Sequence, residues 1–158
     1  MSDATAGLTA RVAREIAEAV DASVPKLAAI ADAEAGVPLA PGKWSRKQVI
    51  GHLVDSAVNN HQRFVRAQLA PSLAFPGYAQ ESWVAAQAYG ERSWTDIVEL
   101  WSVLNRHLAH VVAHVEPRAL ATSCAIGEGA PVTLAFVAED YVRHLRHHLA
   151  QVLGASLA

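Results

Sequence analysis

Apolar residues recur at three- and four-residue intervals through four stretches of the chain, a spacing that predicts four amphipathic helices. The first covers Leu8 to Ala35, with Pro25 as a place where it can bend. Gly36-Val37-Pro38 and Pro41-Gly42 then mark a loop. A second helix begins near Trp44, with Ser45 as its N-cap and Gln48 completing a capping box, and runs to about Leu69 before Pro71. Ser72 to Gly90 reads as loop, with a short helix around Glu81 to Tyr89. The third long helix starts after Ser93 or Thr95 and reaches about Val115, closed by Pro117. Ala119 to Pro131 contains Gly127 and Gly129 and reads as a turn or small hairpin. The fourth helix covers about Val132 to Leu153, and Gly154 ends it. No stretch carries a strand pattern, so the expected class is all-α: a four-helix bundle with uneven connections, as one domain over residues 1–158.

On the fourth helix each residue advances the azimuth by roughly 100°. With His144 at zero, Leu134, Val137, Ala138, Tyr141, Val142, Leu145, Leu149, Val152 and Leu153 fill an arc from roughly 20° to 180°. His148 falls inside this arc at roughly 40°, His144 borders it, and His147, Arg143 and Arg146 point away. Two imidazoles four residues apart can hold one metal ion. Two core-edge histidines with ordinary partners would show the same spacing.

On the second helix His52 shares a side with Gln48, Asp55, Ser56, Asn59, Gln62, Arg63 and Arg66, while Val49, Ile50, Leu53, Val54, Ala57, Phe64 and Val65 take the other. By periodicity alone that stripe is a solvated face. Its mixture of His, Asp, Ser, Asn and Arg, rather than Lys and Glu, also suits the lining of a wet pocket. On the third helix His107 borders the apolar arc, and His110 and His114 fall outside it as surface or subunit-interface residues, with a second metal set there left open.

Composition narrows the function classes. A net charge of −2, with no basic stripe interleaved with aromatics, argues against nucleic acid or an anionic membrane as partner. No apolar run is long enough to span a bilayer, and Met1 to Ala10 lacks a signal-peptide pattern, so a cytoplasmic protein is expected. The lone Cys124 excludes an intramolecular disulfide and any Cys-rich zinc site.

The run Trp44-Ser45-x-x-Gln48-Val49-x-x-His52-Leu53-x-Asp55-Ser56, continued by Asn59-Asn60 and Arg63-Phe64, resembles the second-helix signature of the DinB superfamily, particularly its YfiT-like branch. Glu139-Asp140-Tyr141 leading into His144-x-x-His147-His148-x-x-Gln151-Val152 is similar to the fourth-helix motif of that family. The spacing from Pro76-Gly77-Tyr78 to Trp83 is similar as well. The resemblance implies a four-helix bundle with crossover connections, a homodimer, and one divalent metal (Zn, Ni, Fe or Mn) on His52, His144 and His148. It turns the His52 stripe inward. Gln151 stands where some members carry another histidine, and its role stays open.

Several DinB-like proteins resemble low-molecular-weight-thiol S-transferases that use bacillithiol, mycothiol or a similar thiol. The expected function is therefore metal-dependent thiol transfer to a small electrophilic molecule. Metal-dependent hydrolysis at the same site is the first alternative, and a non-catalytic bundle that binds a ligand or partner is the second. Around the histidines, Asp55 or Asp140 could orient a ligating imidazole. Asn59 and Arg63 could bind a polar or anionic substrate group, although Arg63 could equally be a surface cation. Tyr78 and Trp83 could form an apolar lip, or simply pack.

Overall fold

The computed structural model describes the backbone of residues 3–154 and the side chains of residues 7–154. The ends of the expected domain and the first part of Met1–Ala10 lie outside the described residues. Four long helices dominate: α1 (Asp3–Ala28), α3 (Arg46–Ala67), α5 (Trp94–Ala113) and α6 (Leu134–Leu153). Between them lie α2 (Asp32–Ala35), β1 (Ser72–Phe75), α4 (Gln80–Ala86), β2 (Ser123–Ile126) and β3 (Val132–Thr133), with 3-10 turns at Tyr89–Glu91 and Pro117–Ala121. No helix among the described residues is long and apolar enough to cross a membrane.

Helix α5 packs on α1 and α3, and α6 packs on the same two. The helices thus form a ring in which α1 faces α3 across one diagonal and α5 faces α6 across the other. Two of the three long connections cross a diagonal, which is why short turns cannot join these helices. Fully buried Ile16, Ile50, Leu53, Phe64, Ile97, Trp101, Leu108, Leu134, Leu145 and Leu149 fill the space between them. The apolar arcs assigned from sequence to the second, third and fourth helices face this core, with Val65, Leu100, Leu104, Val111 and Leu153 half-buried at its margin.

The helix starts follow local chemistry. Ser45 Oγ accepts from Gln48 N while the Gln48 side chain accepts from Ser45 N, a full capping box at the start of α3. Ser93 caps α5 and Thr133 caps α6 in the same way from one side. Gly154 ends α6 in the left-handed conformation at φ 65°, which glycine adopts without a Cβ penalty.

Two sequence expectations need correction. The first helix passes through Pro25 but stops at Ala28, and Asp32–Ala35 is a separate turn. Tertiary bonds break the run: Asp32 accepts from Trp94 N at 2.7 Å and from Lys47 Nζ at 2.9 Å, while Trp94 Nε1 donates to Leu27 O. The second correction is a three-stranded sheet where no strand was expected. β1 pairs in parallel with β2, and β2 pairs antiparallel with β3. Strands of two to four residues are too short to show a period-two pattern, and their pairing joins two connections far apart in sequence. Gly127 follows β2 and donates to Phe75 O; its φ of 59° is the left-handed conformation that a side chain would strain. The sheet thereby fixes the Pro76–Tyr78 segment beside α6.

Candidate metal centre

Neighbouring α3 and α6 bring His52, His144 and His148 together. One ring nitrogen from each lies within 4.8 Å of the other two. His52 Nε2 and His144 Nε2 stand 3.0 Å apart. Two nitrogens bound at about 2.0–2.1 Å to one tetrahedral ion would be separated by roughly 3.3 Å, so this spacing suits a shared ion. His52 is fully buried; His144 and His148 are half-buried and open towards solvent. The Trp44 ring lies 5.3 Å from the His52 ring and covers it. Among the described residues this is the only group of three or more potential ligands so arranged.

Burial decides the protonation state of the cluster. Loss of solvation holds His52 down to about 4, with the neighbouring His144 and His148 adding to the effect. The same loss holds His144 down to about 4, helped by His148 and opposed by Asp140. His148 is lowered too, again chiefly by burial. At neutral pH all three rings are therefore uncharged, as a metal ligand must be. His148 Nδ1–H donates to Gln151 Oε1 at 2.9 Å, which leaves its Nε2 lone pair free. His144 Nδ1 faces Ser56 Oγ at 3.4 Å, so its Nε2 is also left towards the cluster. His52 Nδ1 is buried without a protein partner. With three neutral nitrogen donors converging at one point, the residues present fit a divalent cation.

The same shifts give a pH dependence for the metal-free protein. The folded-state values of His52 and His144 lie near 4, below the ordinary 6.5. Between those two pH values the unfolded chain binds more protons than the folded one. Stability should therefore fall as pH drops from about 6.5 towards about 4, with no further loss from these groups below that window. Urea denaturation of chelator-treated protein at pH 7 and pH 5 measures it, and a His52→Gln variant should flatten the slope. An unchanged midpoint would contradict the buried, neutral state of the cluster.

The residues expected around the histidines separate into two groups. Arg63, Tyr78 and Asp140 line a cavity of about 300 Å³ that reaches His144, together with Ser56, Asn60 and Phe136. Tyr78 also meets Trp83, ring centroids 4.8 Å apart, but Trp83 lies outside the cavity wall. Asn59 is turned away and donates to Asp55 O one turn earlier. Neither carboxylate orients an imidazole. Asp140 is exposed and held by Arg143 at 2.8 Å. Asp55 is buried and accepts from Tyr89 Oη and Gln87 Nε2, both at 2.7 Å. Burial raises its pKa, against those two hydrogen bonds.

The residues that do hold the site's surroundings were not singled out from sequence as partners. Gln151 carried a hint, since it lies three residues after His148 on the same helix. Tyr89 and Gln87 carried none, because only the folded connection brings them to α3. The expected outward placement of His147, His110 and His114 agrees with their exposure. His107 is exposed as well and lies beside His61, ring centroids 5.2 Å apart and tilted.

The DinB superfamily's sequence profile matches residues 15–152, which takes in both histidine-bearing helices. The chain belongs to the DinB superfamily. One relative, named as a candidate metal-dependent hydrolase in Bacillus mycoides (strain KBAB4), is 27% identical over 116 residues. That alignment takes in 73% of this chain and 66% of the relative, so the chain spans just under two thirds of the relative's length. Among solved structures, YfiT from Bacillus subtilis matches with a TM-score of 0.80 over 98% of this chain and 87% of its own. It is described as a candidate metal-dependent hydrolase with an unusual four-helix bundle topology. At 19% identity the likeness establishes a common fold for this DinB protein and that structure.

Proposed function

We propose that this protein is a metal-dependent enzyme that transfers a low-molecular-weight thiol to a small electrophile, with His52, His144 and His148 holding one divalent ion. The observation that carries the reading is the convergence of three neutral, partly shielded imidazoles beside a cavity. When bound, such an ion lowers the pKa of a thiol or water brought to it and so supplies a nucleophile.

The chain's own residues supply the rest. Gln151 and Ser56 orient two of the rings from their far nitrogens. Trp44 shields His52, and Ile126, Val132 and Phe136 give the cavity an apolar wall. A metal-bound water is ionised only in part near neutral pH and gains from a general base within hydrogen-bond reach. Of the two carboxylates nearest the histidine motifs in sequence, Asp140 pairs with Arg143, and Asp55 accepts from Tyr89 and Gln87 through Oδ1 while its Oδ2 is buried without a protein partner, away from the cavity wall. A thiol makes no such demand, because a coordinating metal deprotonates it outright. The one carboxylate on the cavity wall is the paired Asp140, which favours transfer over hydrolysis. The names of the two relatives favour hydrolysis, which is the second reading.

The test is a paired assay on zinc-loaded protein. One arm follows bimane conjugation of a cysteine-based thiol; the other follows p-nitrophenyl ester cleavage without thiol. Thiol-dependent conjugation that disappears in His148→Ala supports the proposal. Thiol-independent ester cleavage with the same dependence establishes the hydrolase instead. Activity in neither arm would point to a ligand-binding bundle.

A further inference from the structure

Arg63 differs from most other arginines in the molecule. Arg11, Arg14, Arg46, Arg106, Arg143 and Arg146 each have a carboxylate within ion-pair distance. Arg63 has none among the described residues, although it is half-buried on the wall of the cavity that reaches His144. Its Nε is fully shielded and has no partner. Nη1 makes a long 3.4 Å bond to Asn60 Oδ1, and the guanidinium lies over the Phe75 ring at 5.4 Å from its centroid. A shielded cation without a counter-charge is costly to keep, and an anion entering the cavity would offset that cost. A planar guanidinium held against an aromatic ring, with donors still free, is also the geometry that takes a carboxylate or phosphate in a fork.

We propose that this cavity binds a small molecule bearing a carboxylate or phosphate group, with Arg63 as its anion-recognising end. This deepens the enzymatic reading above and rests on its assignment of the cavity as the substrate site. Ser56, beside His144, and Arg63 are seven residues apart on α3, or about 10 Å along the helix axis. The ligand therefore places its anionic group up to that distance from its reacting end. Ile126, Val132 and Phe136 add apolar surface to the cavity wall. Asp140, the acidic group on the cavity wall, is exposed and paired with Arg143 at 2.8 Å. The volume of about 300 Å³ is at the small end for ligand cavities, so the ligand is of metabolite size.

Calorimetric titration of the full-length protein tests this with four probes: 3-phenylpropionate, its neutral amide, phenethyl phosphate and phenethyl alcohol. Each is run on chelator-treated and on zinc-loaded protein. One or both anions should bind about tenfold or more tighter than the neutral counterpart in both metal states. The anion that does so distinguishes a carboxylate site from a phosphate site. Arg63→Met should erase the preference and Arg63→Lys should keep part of it. Equal binding of anion and neutral probe, no binding of either anion at millimolar concentration, or a preference that survives Arg63→Met would overturn the proposal. A preference confined to zinc-loaded protein and indifferent to Arg63 would place the anion on the metal, supporting the metal reading alone. An Arg63-dependent preference in protein that takes up no zinc would sustain the anion site and remove the metal. If Arg63→Met does not fold, the wild-type anion-to-neutral ratio and the Arg63→Lys variant decide the matter.

Discussion

Replacing Gly51 by alanine is expected to destabilise the protein by about 3 kcal/mol or more, roughly a 10 °C fall in thermal midpoint. Within a helix this substitution ordinarily stabilises by up to about 1 kcal/mol. Here a Cβ would lie 2.3 Å from Tyr89 Cγ and Cδ2, inside the aromatic ring's contact surface. The ring cannot simply swing aside. Tyr89 is buried, and its hydroxyl donates to the buried Asp55 carboxylate at 2.7 Å. Moving it leaves that carboxylate with one donor fewer in a shielded site, which adds roughly 1–3 kcal/mol to the overpacking cost. A thermal melt of Gly51→Ala beside Tyr89→Phe separates the contributions. The Phe variant keeps the ring and loses only the hydrogen bond, so it should show the smaller drop. A Gly51→Ala protein as stable as wild type would mean that Tyr89 does not pack on α3 as described.

The second large effect concerns the histidines. His52→Ala, His144→Ala and His148→Ala should each weaken binding of a divalent ion by about 100-fold or more, because each removes one of three donors. His147→Ala should leave affinity close to wild type, since that exposed ring lies outside the cluster. Gln151→Leu should give an intermediate loss of about tenfold by releasing the His148 ring. Competition against a chromogenic chelator measures all five. Equal affinities for His147→Ala and His148→Ala would show that the cluster is not the site.

How much of this was legible in the sequence follows from the range of the forces involved. Helix starts depend on bonds spanning three residues, so the Ser45–Gln48 box and the Ser93 cap were readable. The orientation of His144 and His148 depends on one helix's periodicity and was readable too. The burial of His52 was not, because a polar stripe looks the same whether it faces water or a second polar surface. Only the family resemblance turned it inward, and α6 explains why: it presents two histidines to that stripe. Asp55 and Asp140 show the opposite failure. Their positions suggested an imidazole partner, yet Asp55 meets Tyr89 and Gln87 from a distant connection, and Asp140 meets Arg143 within its own turn. The three-stranded sheet escaped for the same reason, since its partners lie in separate connections and each strand is too short to pattern itself.

The central claim is that three neutral histidines from α3 and α6 hold one divalent ion. Elemental analysis of untagged protein, after reconstitution with Zn, Ni, Fe or Mn and removal of excess, tests it most directly. The account expects about one ion per chain for at least one of these metals, and close to none in His148→Ala treated identically. Wild-type protein that retains none of the four metals, or a His148→Ala protein that retains as much as wild type, would contradict it.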